Sequence, residues 1–280
     1  MSTPADGILP ILGFGTYQLK GKNAVDMVTH ALRTGYRHID TAQAYNNEAE
    51  VGKGILRSGL PRAHVFVTTK VWPDHFSRKD LPKSVNKSLR KLGTDYIDLL
   101  LLHWPNPRIP LEETLDALME VKQAGKTRHI GVSNFTTDLM EQAVEICGQG
   151  ELMNNQVEYH PFLNQEIVIR KAHSLGMSVT AYRPIGKGKV FHNDTLTQIA
   201  GHHHKTEAQV ALRWIIQQGI IAIPRSSKAD HVSENFEIFD FELSAKEMEA
   251  ISRLRGDNRL VSPNNLAPEW DPTEPVLAHR

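Results

Sequence analysis

Eight short apolar runs, each followed by an amphipathic stretch, constrain this chain more than any single motif. The runs are Ile11–Gly15, Tyr36–Ile39, Val65–Lys70, Ile97–Leu102, His129–Val132, Asn154–Glu158, Ser178–Tyr182 and Ile220–Ile223. Most are rich in Ile, Val, Leu or Thr and lack a clean polar alternation, as strands buried on both faces of a parallel sheet do. Helical spacing of apolar residues marks the intervening segments Asn23–Thr34, Asn47–Arg57, Lys79–Lys91, Leu111–Gln123, Thr136–Ile146, Glu166–Ser174 and Thr206–Gln217. Each ends at or near a glycine: Gly35, Gly59, Gly93, Gly125, Gly148, Gly176 and Gly219. A glycine enters the left-handed region without a Cβ clash, so these are helix stops.

Strand–helix alternation implies a parallel sheet with right-handed crossovers. Eight units favour a closed (β/α)8 TIM barrel of the α/β class over an open doubly wound sheet. The length of 280 residues suits one such domain. The dinucleotide fingerprint of an open sheet is absent: Gly13-Phe-Gly15-Thr-Tyr-Gln18 lacks the third glycine, and Gly186-Lys-Gly188 also stops short. The segment 256–280 holds Pro263, Pro268, Pro272 and Pro275 and cannot be a regular helix. It is expected to lie as a tail across the barrel, within a single domain spanning 1–280.

Composition narrows the partners. Lys+Arg and Asp+Glu are 32 each, so no broad basic face invites nucleic acid or an anionic membrane. No run approaches the ~18 apolar residues of a membrane helix. The start of the chain lacks the basic and apolar regions of a signal peptide, and a single cysteine, Cys147, permits no intrachain disulfide. A cytoplasmic monomer acting on small molecules is the expectation.

In a closed barrel the reaction centre sits at the C-terminal ends of the strands. Those ends deliver Thr16 and Tyr17, Asp40 with Tyr45 in its loop, Lys70 and Trp72, His103 and Trp104, Ser133 and Asn134, Gln156 and Glu158, Tyr182, then Arg225 and Ser226. Asp40 and Lys70 close two apolar strands, and buried ions need partners, so a mutual pair is expected. A tyrosine beside that lysine would have its phenolate favoured and its pKa lowered, giving a proton donor suited to neutral pH. His103 could donate a hydrogen bond to a carbonyl oxygen that gains charge during hydride addition. Each residue alone has a plainer reading: a helix-capping Asp, a solvated Lys, a satisfied His, a packing Tyr. Their coincidence on adjacent strand ends carries the chemical reading.

At these residues the sequence resembles the aldo-keto reductase family over nearly its whole length. The segments are GYRHIDTAQAYNNEAEVG (Gly35–Gly52), TTKVW (Thr68–Trp72) and LLLLHWP (Leu99–Pro105), then GVSNF, NQVEYHP, AYRPIGKG and IPRSSKADHVSEN in the family's order. The resemblance implies Tyr45 as general acid, Lys70 and Asp40 tuning it, and His103 orienting the carbonyl. It implies NADPH as cofactor. Ser133, Asn134 and Gln156 would hold the carboxamide and Tyr182 would stack on the nicotinamide. Ile185, Gly186, Lys187 and Gly188 would wrap the pyrophosphate. Arg225 and Ser226 would hold the 2′-phosphate, and Asn235 the adenine.

Two positions depart from the family pattern. His231 stands where an arginine is common, so NADPH preference is expected to be weaker, with NADH accepted. Arg183 replaces a small residue and adds a phosphate contact or covers the loop. Within the family the chain resembles bacterial 2,5-diketo-D-gluconate reductases, through the short Lys70–His103 interval and RLVSPNNLAPEWD (Arg259–Asp271). That implies small dicarbonyls such as 2,5-diketo-D-gluconate or methylglyoxal, with Tyr17, Trp72 and Trp104 as an apolar wall.

Other signals carry less. His202-His203-His204 cannot converge on one metal from consecutive helical positions and reads as a solvated helix end, and no metal site is expected. Ser226-Ser227 lacks a nucleophile elbow. A Schiff-base aldolase using Lys70 and a non-catalytic NADPH-binding barrel are the rival readings.

Overall fold

The computed structural model describes residues 8–272. Pro275 and the outer ends of the expected 1–280 domain and 256–280 tail lie outside the described residues. Eight parallel strands form one sheet in chain order: β1 (Phe14–Gly15), β2 (His38–Asp40), β3 (Phe66–Val71), β4 (Ile97–Leu102), β5 (Thr127–Ser133), β6 (Leu152–Glu158), β7 (Ser178–Tyr182) and β8 (Ile221–Ala222). The sheet curls until its two edges meet. Gly13 N–H donates to Ala222 O and Ala222 N–H to Ile11 O, both at 2.9 Å, and Leu12 pairs with Ala222 in a parallel bridge. The result is a barrel fold.

Strands β3 and β4 are buried at every residue, which is why their sequences show no alternation. At the seam the strands are shorter than the apolar runs that announced them. Pro224 follows β8 and has no N–H to extend the ladder, although its carbonyl still accepts from Gly15 N–H at 2.9 Å. Close approach at this seam also needs Gly13: a Cβ there would lie 2.4 Å from His38 Nδ1. Strand β2 begins later than expected because Tyr36 packs outside the sheet. Its ring lies 4.8 Å from that of Phe236, and its hydroxyl donates to Val232 O at 3.1 Å.

The helices are α1 (Gly21–Thr34), α2 (Glu48–Ser58), α3 (Leu81–Leu92), α4 (Leu111–Gln123), α5 (Thr137–Cys147), α6 (Glu166–Ser174), α7 (Asp194–His203), α8 (Glu207–Gln217), α9 (Ala229–Phe236) and α10 (Ala245–Ser252). All seven expected glycine stops adopt positive φ, from 66° at Gly93 to 134° at Gly35. Helices α9 and α10 escaped the sequence reading, and of α7 only the histidine-bearing end was read. The histidine run is the end of α7, as expected, but it is not wholly solvated. His203 Nε2 lies 2.9 Å from Glu247 Oε1 and ties α7 to α10, while His204 takes the left-handed cap at φ 53°.

Helices α2 and α3 pack without a side chain at Gly52, where a Cβ would come 2.2 Å from Leu92 O. In an exposed helix, Gly→Ala stabilises by about 0.5–1 kcal/mol. Here the backbone carbonyl cannot yield, so Gly52→Ala is expected to destabilise by about 1–3 kcal/mol. Equilibrium denaturation of the two proteins checks this, and an unchanged or higher midpoint would show that the helices can separate freely.

Inside the barrel a small apolar cluster of Leu9, Phe66, Leu99, Leu101 and Ile221 stands apart from the main core. Leu99 and Leu101 pair in register with Thr68 and Lys70, so the interior turns polar toward the C-terminal ends of the strands. No described helix is long and apolar enough to cross a membrane. No group of His, Cys, Asp or Glu among the described residues is arranged to hold a metal ion.

Candidate active site

A cavity of about 780 Å³ opens at the C-terminal ends of the strands. Its walls include Tyr17, Asp40, Tyr45, Trp72, His103, Trp104, Ser133, Asn134, Gln156, Tyr182, Arg183, Ile185, Lys187, Gly188 and Arg225. Most of the expected site residues are thus gathered in one place. Lys70 lies behind this surface. Gly186, Ser226, His231 and Asn235 also fall outside the walls: Asn235 is buried in α9, His231 is exposed on it, and the Ser226 hydroxyl closes a turn with Lys228 N–H at 3.0 Å.

The Asp40–Lys70 pair is the electrostatic centre. Both residues are at most 1 % exposed, and Lys70 Nζ donates to Asp40 Oδ1 at 2.6 Å and to Thr41 O at 2.8 Å. The other carboxylate oxygen, Asp40 Oδ2, accepts from Gln156 Nε2 at 2.8 Å. Burial alone would push the ammonium toward its neutral form; the carboxylate opposes this. Since both strand ends are dry, neither ion could persist without the other.

Tyr45 rides on a single 3-10 turn, Gln43–Tyr45, directly after β2. The Gln43 side chain fixes that turn by accepting from Trp72 N–H at 3.1 Å and donating to Ser84 and Ser88 Oγ at 3.2 and 3.1 Å. Lys70 Nζ stands 5.1 Å from the centre of the Tyr45 ring. The His103 ring meets Tyr45 edge-on at 5.7 Å and Trp72 at 5.3 Å, and Tyr17 packs on Tyr45 at 5.1 Å.

One electrostatic expectation is corrected. The Tyr45 phenol is held well above its ordinary pKa, not below it. Burial is the first cause, followed by Asp40, Tyr182 and Tyr17. The ammonium that was expected to lower it donates instead to Asp40 and Thr41. His103 is held well below its ordinary value by burial and then by Lys70, so its ring is neutral. Its Nδ1 is buried without a partner.

Beside these groups lies a second network. Tyr182 Oη donates to Asn134 Oδ1 at 2.8 Å, Asn134 Nδ2 to His103 O at 3.0 Å, and Ser133 Oγ to Gln156 O at 2.8 Å. Farther along the cavity, Arg183 and Lys187 adopt left-handed φ of 52° and 56°, and Arg183 Nη1 is buried without a partner. Arg225 does not project freely. Its guanidinium donates to Tyr17 O and Gln18 Oε1, both at 2.9 Å.

Among the cavity walls absent from the expected site are Val261, Pro263 and Leu266. Their segment crosses the mouth and is pinned at its far end. Trp270 meets Trp104 edge-on at 6.2 Å, and Asp271 Oδ2 accepts from Thr137 N–H at 3.1 Å. The four prolines signalled a non-helical tail lying across the barrel; which of its residues enter the cavity wall was not read from them.

A family model described as the aldo/keto reductase family matches residues 11–255. The methylglyoxal reductase DkgB of Escherichia coli O157:H7 is 42% identical over 265 residues, 94% of this chain and 99% of that protein. A solved structure provisionally named 2,5-diketo-D-gluconic acid reductase B superposes with a TM-score of 0.94 at 48% identity, covering 97% of both chains. The Bombyx mori aldo-keto reductase, solved in complex with NADP, superposes at 0.83 with 34% identity, covering 90% of each. With its barrel, its cavity and these likenesses, the chain belongs to the aldo/keto reductase family and is an oxidoreductase.

Proposed function

We propose that the chain is a closed (β/α)8, single-domain reductase of small aldehydes and ketones, dicarbonyls such as methylglyoxal and 2,5-diketo-D-gluconate among them. NADPH is the hydride donor and Tyr45 the proton donor. The observation that carries this reading is the meeting of Tyr45 and His103 in the wall of one cavity with the buried Lys70–Asp40 pair beside them. The same reading takes the protein as a cytosolic monomer with no nucleic-acid or membrane partner.

The residues fit such a cofactor. The unpartnered Arg183 Nη1 and the left-handed Lys187–Gly188 turn line the cavity and offer a basic place for phosphates. Tyr182, Asn134 and Gln156 line the same cavity, where they would flank a nicotinamide. When bound, the nicotinamide supplies a hydride to the carbonyl carbon.

The chain's own groups do the rest. Neutral His103 retains one ring N–H and directs it to the carbonyl oxygen. Tyr45 stays fully protonated at neutral pH because burial holds its phenol up. As the carbonyl oxygen gains charge, the phenol gives up its proton, and Lys70 stabilises the phenolate left behind. Tyr17, Trp72 and Trp104 exclude water on the substrate side.

A Schiff-base role for Lys70 fits poorly. Its Nζ is tied to Asp40 and Thr41 and lies off the cavity surface. A nucleophilic amine has to be uncharged and reachable.

Initial rates with NADPH and NADH against methylglyoxal, 2,5-diketo-D-gluconate and simple aldehydes test the reading; no turnover with any of them removes it. The exposed His231 lacks the fixed charge and planar fork of arginine. His231→Arg is therefore expected to raise the NADPH:NADH ratio of kcat/KM by about tenfold, the effect of one charge-assisted hydrogen bond. An unaltered ratio places the 2′-phosphate elsewhere.

A further inference from the structure

The last residue of β6, Glu158, is fully buried, yet it is not part of the cavity wall or of the proton-transfer group. Its carboxylate has three donors. Oε1 accepts from Leu260 N–H at 2.7 Å, and Oε2 from Val261 N–H at 2.8 Å. The third donor is His160 Nε2, 3.0 Å from Oε1. His160 Nδ1 itself accepts from Phe162 N–H at 3.3 Å, so the ring proton sits on Nε2 and points at the carboxylate. Such charge-assisted bonds in a dry setting are the strong kind.

Their positions matter more than their number. Two of the three donors are consecutive backbone groups of the segment that crosses the cavity mouth. Val261 is itself a wall of the cavity, and Pro263 and Leu266 follow it there. Immediately before the two donors, Arg259 lies over the Trp270 ring at 3.7 Å and ties the start of the segment to its far pin. A proline-rich segment without a helix or strand has no ladder of its own, so its placement depends on such points.

We propose that Glu158 is a positioning and specificity-determining residue. Its buried carboxylate clasps the backbone at Leu260 and Val261 and so sets how closely the Val261–Leu266 wall approaches a bound carbonyl compound. The proposal rests on the reductase reading of the cavity. On the same strand end, two residues earlier, Gln156 donates to Asp40. One strand thus steadies the proton-transfer pair with one side chain and the substrate wall with another.

The test is Glu158→Gln beside Leu260→Pro in the full chain. The first variant would keep one acceptor and turn an amide N–H toward a donor. The second would delete one backbone donor and leave the carboxylate untouched. Three quantities are read: amide hydrogen exchange at Val261, steady-state kinetics with methylglyoxal and with a bulkier aromatic aldehyde, and the dissociation constant for NADPH.

In E158Q we expect exchange at Val261 and KM for methylglyoxal each to rise about tenfold or more, the scale of one lost charge-assisted hydrogen bond. Discrimination against the bulky aldehyde should narrow, while kcat and NADPH affinity stay within about twofold. L260P should shift KM in the same direction, and the double variant should be no worse than E158Q, because both act on one contact. Should E158Q not fold, L260P reads the KM shift alone. An unchanged KM in either folded variant, or slow exchange at Val261 in E158Q, overturns the clasp. If the unaltered protein reduces no carbonyl, the functional reading fails, and exchange at Val261 still decides whether Glu158 holds the segment.

Discussion

Tyr45→Phe is expected to lower kcat for carbonyl reduction by about 10²–10⁴-fold, the usual contribution of a positioned general acid. The affinity for NADPH should stay nearly unchanged. The substitution removes one oxygen and no packing: the ring contacts with Tyr17, His103 and the Lys70 ammonium survive. The phenol also anchors no other part of the fold, since no described hydrogen bond uses its oxygen. A loss of rate therefore cannot be assigned to a displaced turn. Stopped-flow reduction of methylglyoxal, with cofactor binding followed by fluorescence, separates the two quantities. Turnover within about threefold of the unaltered enzyme would mean that water or His103 delivers the proton.

Lys70→Met is expected to be costly in a different way. It leaves Asp40 almost fully buried, with only Gln156 donating to its side chain. Breaking a buried pair by removing one partner costs about 3–5 kcal/mol, which for a chain of this size lowers Tm by upwards of about 6 °C. Adding Asp40→Asn to Lys70→Met removes the stranded charge and should restore most of that stability. Activity should not return, because the phenolate of Tyr45 would have no cation beside it. Calorimetry of the three proteins checks the stability, and a double variant no more stable than Lys70→Met would show that Asp40 does not carry its charge in the fold.

How much of this was legible in the sequence depended on how local the physics was. The strands announced themselves through dry apolar runs, and the seven glycine stops through backbone conformation, which is a property of one residue. Asp40 and Lys70 were legible because ions at the ends of apolar strands require each other. The sequence reading lost α9 because no glycine ends it. It lost α10 despite a capping box, Ser244-x-x-Glu247, that the structure forms in full.

The direction of the Tyr45 shift was misjudged for a physical reason. Adjacency to a lysine can be read from spacing, but desolvation and the competing carboxylate belong to the assembled interior. The hydrogen bonds of the Arg225 guanidinium to Tyr17 and Gln18 were likewise not legible, because those partners lie about two hundred residues away in the chain. The tail was expected across the barrel, but which of its residues form the Val261–Leu266 wall was not legible, because Leu260 is held by Glu158, about a hundred residues earlier in the chain.

The seam that shuts the barrel joins Gly13 to Ala222, and the wall beyond it ends at Leu266. Contacts of that sequence separation are slow to form. During synthesis, then, a ribosome that has finished α8 holds a chain with Tyr45, Lys70 and His103 already made and no enclosed cavity to put them in. The cavity is completed only by segments that follow α8, through Ile223, Arg225, Val261, Pro263 and Leu266.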